Sequence, residues 1–124
     1  MSSAVLGPVF RNLANAMEAT IKAFESAIRA LRQKIRANLK GKPNDRRRFD
    51  DEWQKAKTTK SRLRAAVRAL GRLVDDLEDL GDAAATELTD AERELWALID
   101  LLRALQGLED LRDHYDGLAK GMGY

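Results

Sequence analysis

The chain has 124 residues, no cysteine, one histidine and a formal net charge of +2. That length suits a single domain; the missing cysteine removes disulfides, thiolate metal sites and thiol nucleophiles, and a lone histidine removes His-rich metal sites. The small net charge hides a split: residues 1–72 carry 18 basic and 6 acidic side chains, net +12, while residues 73–124 carry 4 basic and 14 acidic, net −10.

Ala occurs 19 times and Leu 18 times, and both lose little entropy in a helix. The expected class is therefore all-α. The longest unbroken apolar run, Leu95–Ile99, is five residues, far short of the roughly 20 that span a bilayer. The opening MSSAVLGPVF lacks the basic flank and apolar stretch of a secretion signal. A cytoplasmic protein, or part of a virion or assembly formed there, is the expectation.

The first predicted helix covers about residues 8–40, with Pro8 in its first turn, where a missing N–H does no harm. Its apolar seam alternates steps of four and three through Phe10, Ala14, Met17, Ile21, Phe24, Ile28, Leu31 and Ile35, a coiled-coil pattern. Beside it runs a stripe at seven-residue spacing, Ala16, Ala23, Ala30 and Ala37, small enough for another helix to approach closely. Gly41, Pro43 and Asn44 end this helix and start the next, with Asn44 as the expected cap.

The second predicted helix covers about 45–80. Its seam, Phe49, Trp53, Ala56, Lys60, Leu63, Val67, Leu70, Val74 and Leu77, keeps the same spacing without a slip. Gly81 ends it, and residues 81–89 form a connector. Thr89 and Glu92 then read as a capping box for a third helix over about 90–119. In that helix the heptad phase slips at Gly107, which predicts a kink there. A glycine-containing tail, 120–124, is expected to be flexible. Three helices of similar length with short connections predict an up-down-up antiparallel three-helix bundle with coiled-coil-like heptad packing.

Two surfaces stand out. Ten of the fourteen residues in Leu95–Leu108 are apolar, more than one bundle seam needs. Leu95, Trp96, Leu98, Leu101, Leu102 and Leu105, with the alanine stripe, are therefore the candidate protein interface. The second surface is basic. Lys22, Arg29 and Arg36 recur every seven residues, Lys40, Lys42, Arg46, Arg47 and Arg48 surround the first turn, and Arg64 and Arg68 continue along the second helix. Such a stripe suits phosphate backbones or an acidic partner. Phe49 and Trp53 lie among these charges but occupy seam positions, which makes them core. In a three-helix arrangement the acidic Glu109–Asp116 end would return to the basic Gly41–Arg48 turn, leaving the 75–94 end acidic.

Catalytic patterns are missing. His114 has Asp110 one turn behind it, but two ligands from one helix do not make a metal site. No phosphate-binding glycine loop or nucleophile elbow occurs. No cofactor and no small-molecule substrate are expected. The leading expectation is a non-enzymatic structural or adaptor bundle that works by self-association or contact with other subunits, as virion accessory proteins and filament subunits do. A nucleic-acid-binding or packaging protein is the second expectation, and a small inhibitor or antitoxin-like binder the third.

Overall fold

The computed structural model describes residues 3–124. They form four α-helices: α1 (Ser3–Asn38), α2 (Pro43–Lys55), α3 (Thr59–Asp79) and α4 (Ala85–Gly121), with a single 3-10 turn over Gly81–Ala84. The three-helix expectation is thus corrected to four. The predicted second helix is two helices folded back on each other, and the order becomes up-down-up-down.

The reversal sits at Ala56–Thr58. Ala56 leaves α2 in extended conformation, and Thr58 caps α3. The Ser61 amide donates to the Thr58 hydroxyl at 3.1 Å, and the Thr58 amide donates to the Ser61 hydroxyl at 3.0 Å. Two of the free donors at the start of α3 are satisfied by this reciprocal box. The apolar spacing crosses the break unchanged because both arms of the hairpin face the same core: Trp53, Ala56 and Leu63 are all buried.

Ion pairs and side-chain hydrogen bonds mark the direction of the helices. Asp50 of α2 faces Arg36 and Arg32 of α1 at 3.1 and 3.8 Å, and Glu52 of α2 faces Arg72 and Arg68 of α3 at 3.4 and 3.6 Å. The Thr59 hydroxyl, at the start of α3, donates to Glu25 of α1 at 3.4 Å, and Lys42 pairs with Asp76 near the end of α3 at 2.7 Å. Hence α3 runs parallel to α1, and α2 runs antiparallel to both. On α4, Glu94 faces Asn38 while Arg112 and Asp116 face Glu18 and Arg11, so α4 runs antiparallel to α1 along its whole length.

The helices differ in length. At 1.5 Å per residue α1 and α4 each span about 55 Å, α3 about 32 Å and α2 about 20 Å. The α2–α3 hairpin therefore covers only half of the α1–α4 pair. In the covered half a connected core joins Ile21, Ile28, Ile35 and Leu39 of α1, Phe49 and Trp53 of α2, Leu63, Leu70 and Val74 of α3, and Leu98 and Leu105 of α4. Helix α3 is its centre. Ala65, Ala66 and Ala69 are buried alongside its leucines, and their small size lets three neighbours approach. Lys60, the charged residue on that seam, reaches outward to the Gln106 side chain of α4.

The uncovered half is a two-helix stalk. Its inner positions shrink or become polar where α3 stops. The α1 series Ile35, Ile28, Ile21 continues as Ala14 and Gly7, and the α4 series Leu98, Leu105 continues as Arg112 and Ala119. Arg11–Asp116 at 2.6 Å and Arg112–Glu18 at 2.8 Å bridge over these small residues. The side that α3 vacates is therefore closed by ion pairs.

Several ends differ from expectation. α1 starts at Ser3, so Pro8 lies inside it. Lys42, without a side-chain cap, precedes α2, and Pro43 takes its first turn instead of Asn44 capping it. Helix α4 begins at Ala85, and the Thr89 hydroxyl donates to the Ala85 carbonyl within the helix at 2.9 Å. It then runs unbroken through Gly107, where a kink was expected. The change of direction falls instead at Gly81, whose φ of +63° suits glycine. At the far end, Gly123 has φ +84° and the Tyr124 amide donates to the Ala119 carbonyl at 2.9 Å, a helix-ending motif that satisfies an orphan carbonyl. It turns the last residue back against α1: the Tyr124 ring lies on Gly7, and Arg11 Nε donates to the Tyr124 carbonyl at 3.2 Å.

Candidate association face

Four-helix topology reassigns the charges. The acidic α3–α4 junction now returns to the basic Gly41–Arg48 turn, as the Lys42–Asp76 pair shows. Glu109–Asp116 lies instead beside the first half of α1. The expected contrast between a neutralised turn and an isolated acidic 75–94 end is thereby overturned. The basic stripe is also divided. Helix α2 lies between the basic edges of α1 and α3 and offers Asp50 to one and Glu52 to the other. Arg36, Lys42 and Arg68 are engaged in ion pairs. Lys22, Arg29, Lys40, Arg47, Arg48 and Arg64 are exposed and Arg46 is half-buried, spread over three helices and a turn. Phe49 is fully buried and Trp53 is 6% exposed, so both aromatics belong to the core.

The stalk ion pairs perturb their own ionisation. Hydrogen bonding to Lys120, and then to Arg11, holds the Asp116 carboxyl below its ordinary value. The Arg112 guanidinium is raised, chiefly by its hydrogen bond to Glu18; burial opposes this, and Asp113 adds to the rise. Both shifts follow from an opposite charge at hydrogen-bond distance.

The apolar excess of Leu95–Leu108 has two destinations within the chain. Leu98 and Leu105 are buried, and Leu95, Leu101 and Leu102 pack half-buried against the core. Positions facing α3 and positions facing α1 take up these five leucines. Trp96, 60% exposed, and the exposed Ala97 and Ala104 point away from the core. All four stripe alanines, Ala16, Ala23, Ala30 and Ala37, are exposed.

What sequence reasoning missed is a face that shares only Leu101 with the candidate interface and nothing with the basic stripe. The α1–α4 contact is set by Phe10 stacked on Tyr115, centroids 6.1 Å apart, and by Asn38 against Glu94. Helical register then places Leu6, Leu13, Thr20 and Ala27 of α1 beside that contact on the side opposite α3. The matching positions of α4 are Leu118, Leu111, Ala104 and Ala97. Adding the seam residues Phe10, Met17, Phe24, Leu31, Leu101, Leu108 and Tyr115, the groove from Leu6 to Leu31 contains no charged side chain, in a chain that is 34% charged. None of these fifteen residues is buried; all are half-buried or exposed. The signal was present in the heptad positions next to the seam, and it becomes legible once α3 is known to cover only one side of the pair.

Chemistry is sparse elsewhere. His114 is exposed beside Tyr115, with ring centroids 5.4 Å apart, and Asp110 accepts from Gln106 at 2.9 Å. Among the described residues no group of three or more His, Asp or Glu side chains is placed to hold a metal ion. No helix among them is long and apolar enough to cross a membrane. Comparison of the chain with protein-family models, curated proteins and solved structures found no match.

Proposed function

We propose that this chain is a non-enzymatic structural or adaptor bundle that works by association, and that its first partner is a second copy of itself. The uncharged α1–α4 groove supports this reading most directly. An apolar face that runs along much of two helices loses free energy to water until it is covered.

The graded size of its residues favours a symmetric pair. Along α1 the outer positions read Leu6, Leu13, Thr20, Ala27, and at matching levels α4 reads Leu118, Leu111, Ala104, Ala97. Bulky residues occupy the stalk end and small ones the covered end. A two-fold axis across the middle of the groove sets the leucines of one copy against the alanines of the other, at both ends at once. Ala16, Ala23 and Ala30 flank the groove and let the backbones approach. The basic stripe, divided by Asp50 and Glu52, has no comparable continuity.

Sedimentation velocity across micromolar concentrations tests the reading. A dimer is expected, and Leu13→Glu with Leu111→Glu should yield a monomer with unchanged helix content, since neither side chain is in the monomer core. A protein that stays monomeric at about 100 μM, or a dimer that tolerates both substitutions, would sink it.

A further inference from the structure

At the foot of the α2–α3 hairpin lies an open cleft of about 550 Å³, lined by Arg29, Arg32, Gln33, Trp53, Gln54, Ala56, Lys57 and Arg62. Four of these residues are cationic and none is acidic. The cleft is built by the fold. Arg29 and Arg32 stand one turn apart on α1, Trp53 lies in the last turn of α2, Lys57 in the reversal and Arg62 in the first turn of α3. The Arg32 and Arg62 guanidinium groups lie over the Trp53 ring at 5.3 and 5.7 Å from its centroid, which holds their planar forks in place. The Nε atoms of both are buried and have no hydrogen-bond partner among the described residues. Arg32 has only a long contact to Asp50, which lies closer to Arg36, and Arg29, Lys57 and Arg62 form no ion pair among the described residues.

Convergent cations without a counter-charge repel one another. An anion with several acceptor oxygens relieves that repulsion. We propose that this cleft binds a diphosphate group. Guanidinium forks match phosphate oxygens two at a time, four cations suit a multiply charged anion, and the volume exceeds what a single orthophosphate fills. Aromatic stacking of a base is not part of the site, because Trp53 is buried beneath the two arginines. Gln33 and Gln54 add neutral donors at the rim.

Trp53 also supplies the readout. The chain has two tryptophans, and Trp96→Phe leaves Trp53 as the one tryptophan, in direct contact with two of the binding groups. Titration of this variant with pyrophosphate, ADP and orthophosphate at constant ionic strength, paralleled by calorimetry, should show saturable binding of pyrophosphate, with orthophosphate weaker. Equal affinity for pyrophosphate and ADP assigns the site to the free diphosphate, and tighter ADP binding assigns it to a nucleotide; either result supports the proposal. Arg62→Gln should weaken binding about tenfold or more. Because that change also touches the Trp53 packing, Arg29→Gln with Lys57→Gln, both exposed, provides a second test with helix content checked by circular dichroism. Arg46, Arg47 and Arg48 changed together to Gln should leave binding intact. The proposal is overturned if no diphosphate compound binds saturably, if the cleft variants bind as well as the parent, or if only duplex DNA gives a signal.

Discussion

Helices α1 and α4 pass through two environments. In the covered half, Ile28, Ile35, Leu98 and Leu105 are at most 2% exposed because α3 completes the ring around them. In the stalk, the same helices have only each other. Phe10, Leu13, Met17 and Tyr115 are half-buried, and Val5, Val9 and Leu111 are 52, 46 and 44% exposed. The contrast shows how a strict heptad leaves open how many helices surround it. Both halves keep the seven-residue repeat, and what changes is the size of the inner residue, from Ile and Leu to Ala, Gly and Arg. Where the third helix stops, the inner side is closed by ion pairs and the outer side remains apolar.

The largest expected effects come from breaking the covered half. Phe49→Ala and Leu70→Ala, at fully buried positions, should each cost about 3–5 kcal/mol in urea unfolding. Phe10→Ala in the stalk should cost about 1–2 kcal/mol, because its ring is already partly in water. Equal losses would erase the distinction between the halves. Next in size is the hinge between α2 and α3. Thr58→Ala removes the acceptor for the Ser61 amide and should cost about 1 kcal/mol, measurable in the same experiment.

Glycine in α4 sharpens the comparison in the opposite direction. A Cβ at Gly107 meets nothing within 4 Å, so Gly107→Ala should stabilise the protein by about 0.5–1 kcal/mol through helix propensity. A loss there would mean that the helix bends at this point. The smallest effect is the pH response of the stalk. The ionised Asp116 is favoured in the folded state, so its contribution is present above the unfolded carboxylate pKa and is lost as pH falls through the lower folded value. Thermal unfolding of the parent and of Asp116→Asn should therefore diverge slightly above about pH 4 and converge below it, with a small amplitude because the pair is solvent-screened.

The all-helical class and the seam of α1 were legible in the sequence, because Ala14, Ile21, Ile28 and Ile35 all prove buried. The α2–α3 reversal was not legible from periodicity. Trp53, Ala56, Lys60 and Leu63 keep helical spacing across a break that returns both arms to one core. Its local mark was the Thr58-Thr59-Lys60-Ser61 run, two β-branched residues and a hydroxyl pair three apart, without the glutamate of the usual capping box. Charge misled for a related reason. Asp50 and Glu52 are two acidic residues within a basic segment, and their place on α2, between the basic edges of α1 and α3, lets them divide the basic surface. The excess apolarity of α4 was legible, but its use depended on having two neighbours, which requires the topology.

Hydrogen exchange by mass spectrometry, at about 1 μM and about 100 μM, tests the asymmetry and its purpose together. Residues 28–35 and 98–105 should show strong, concentration-independent protection. Residues 6–17 and 108–118 should show weaker protection at low concentration, rising at high concentration as a second copy covers the groove. Uniform protection along α1 and α4, unchanged with concentration, would contradict both the asymmetry and its purpose.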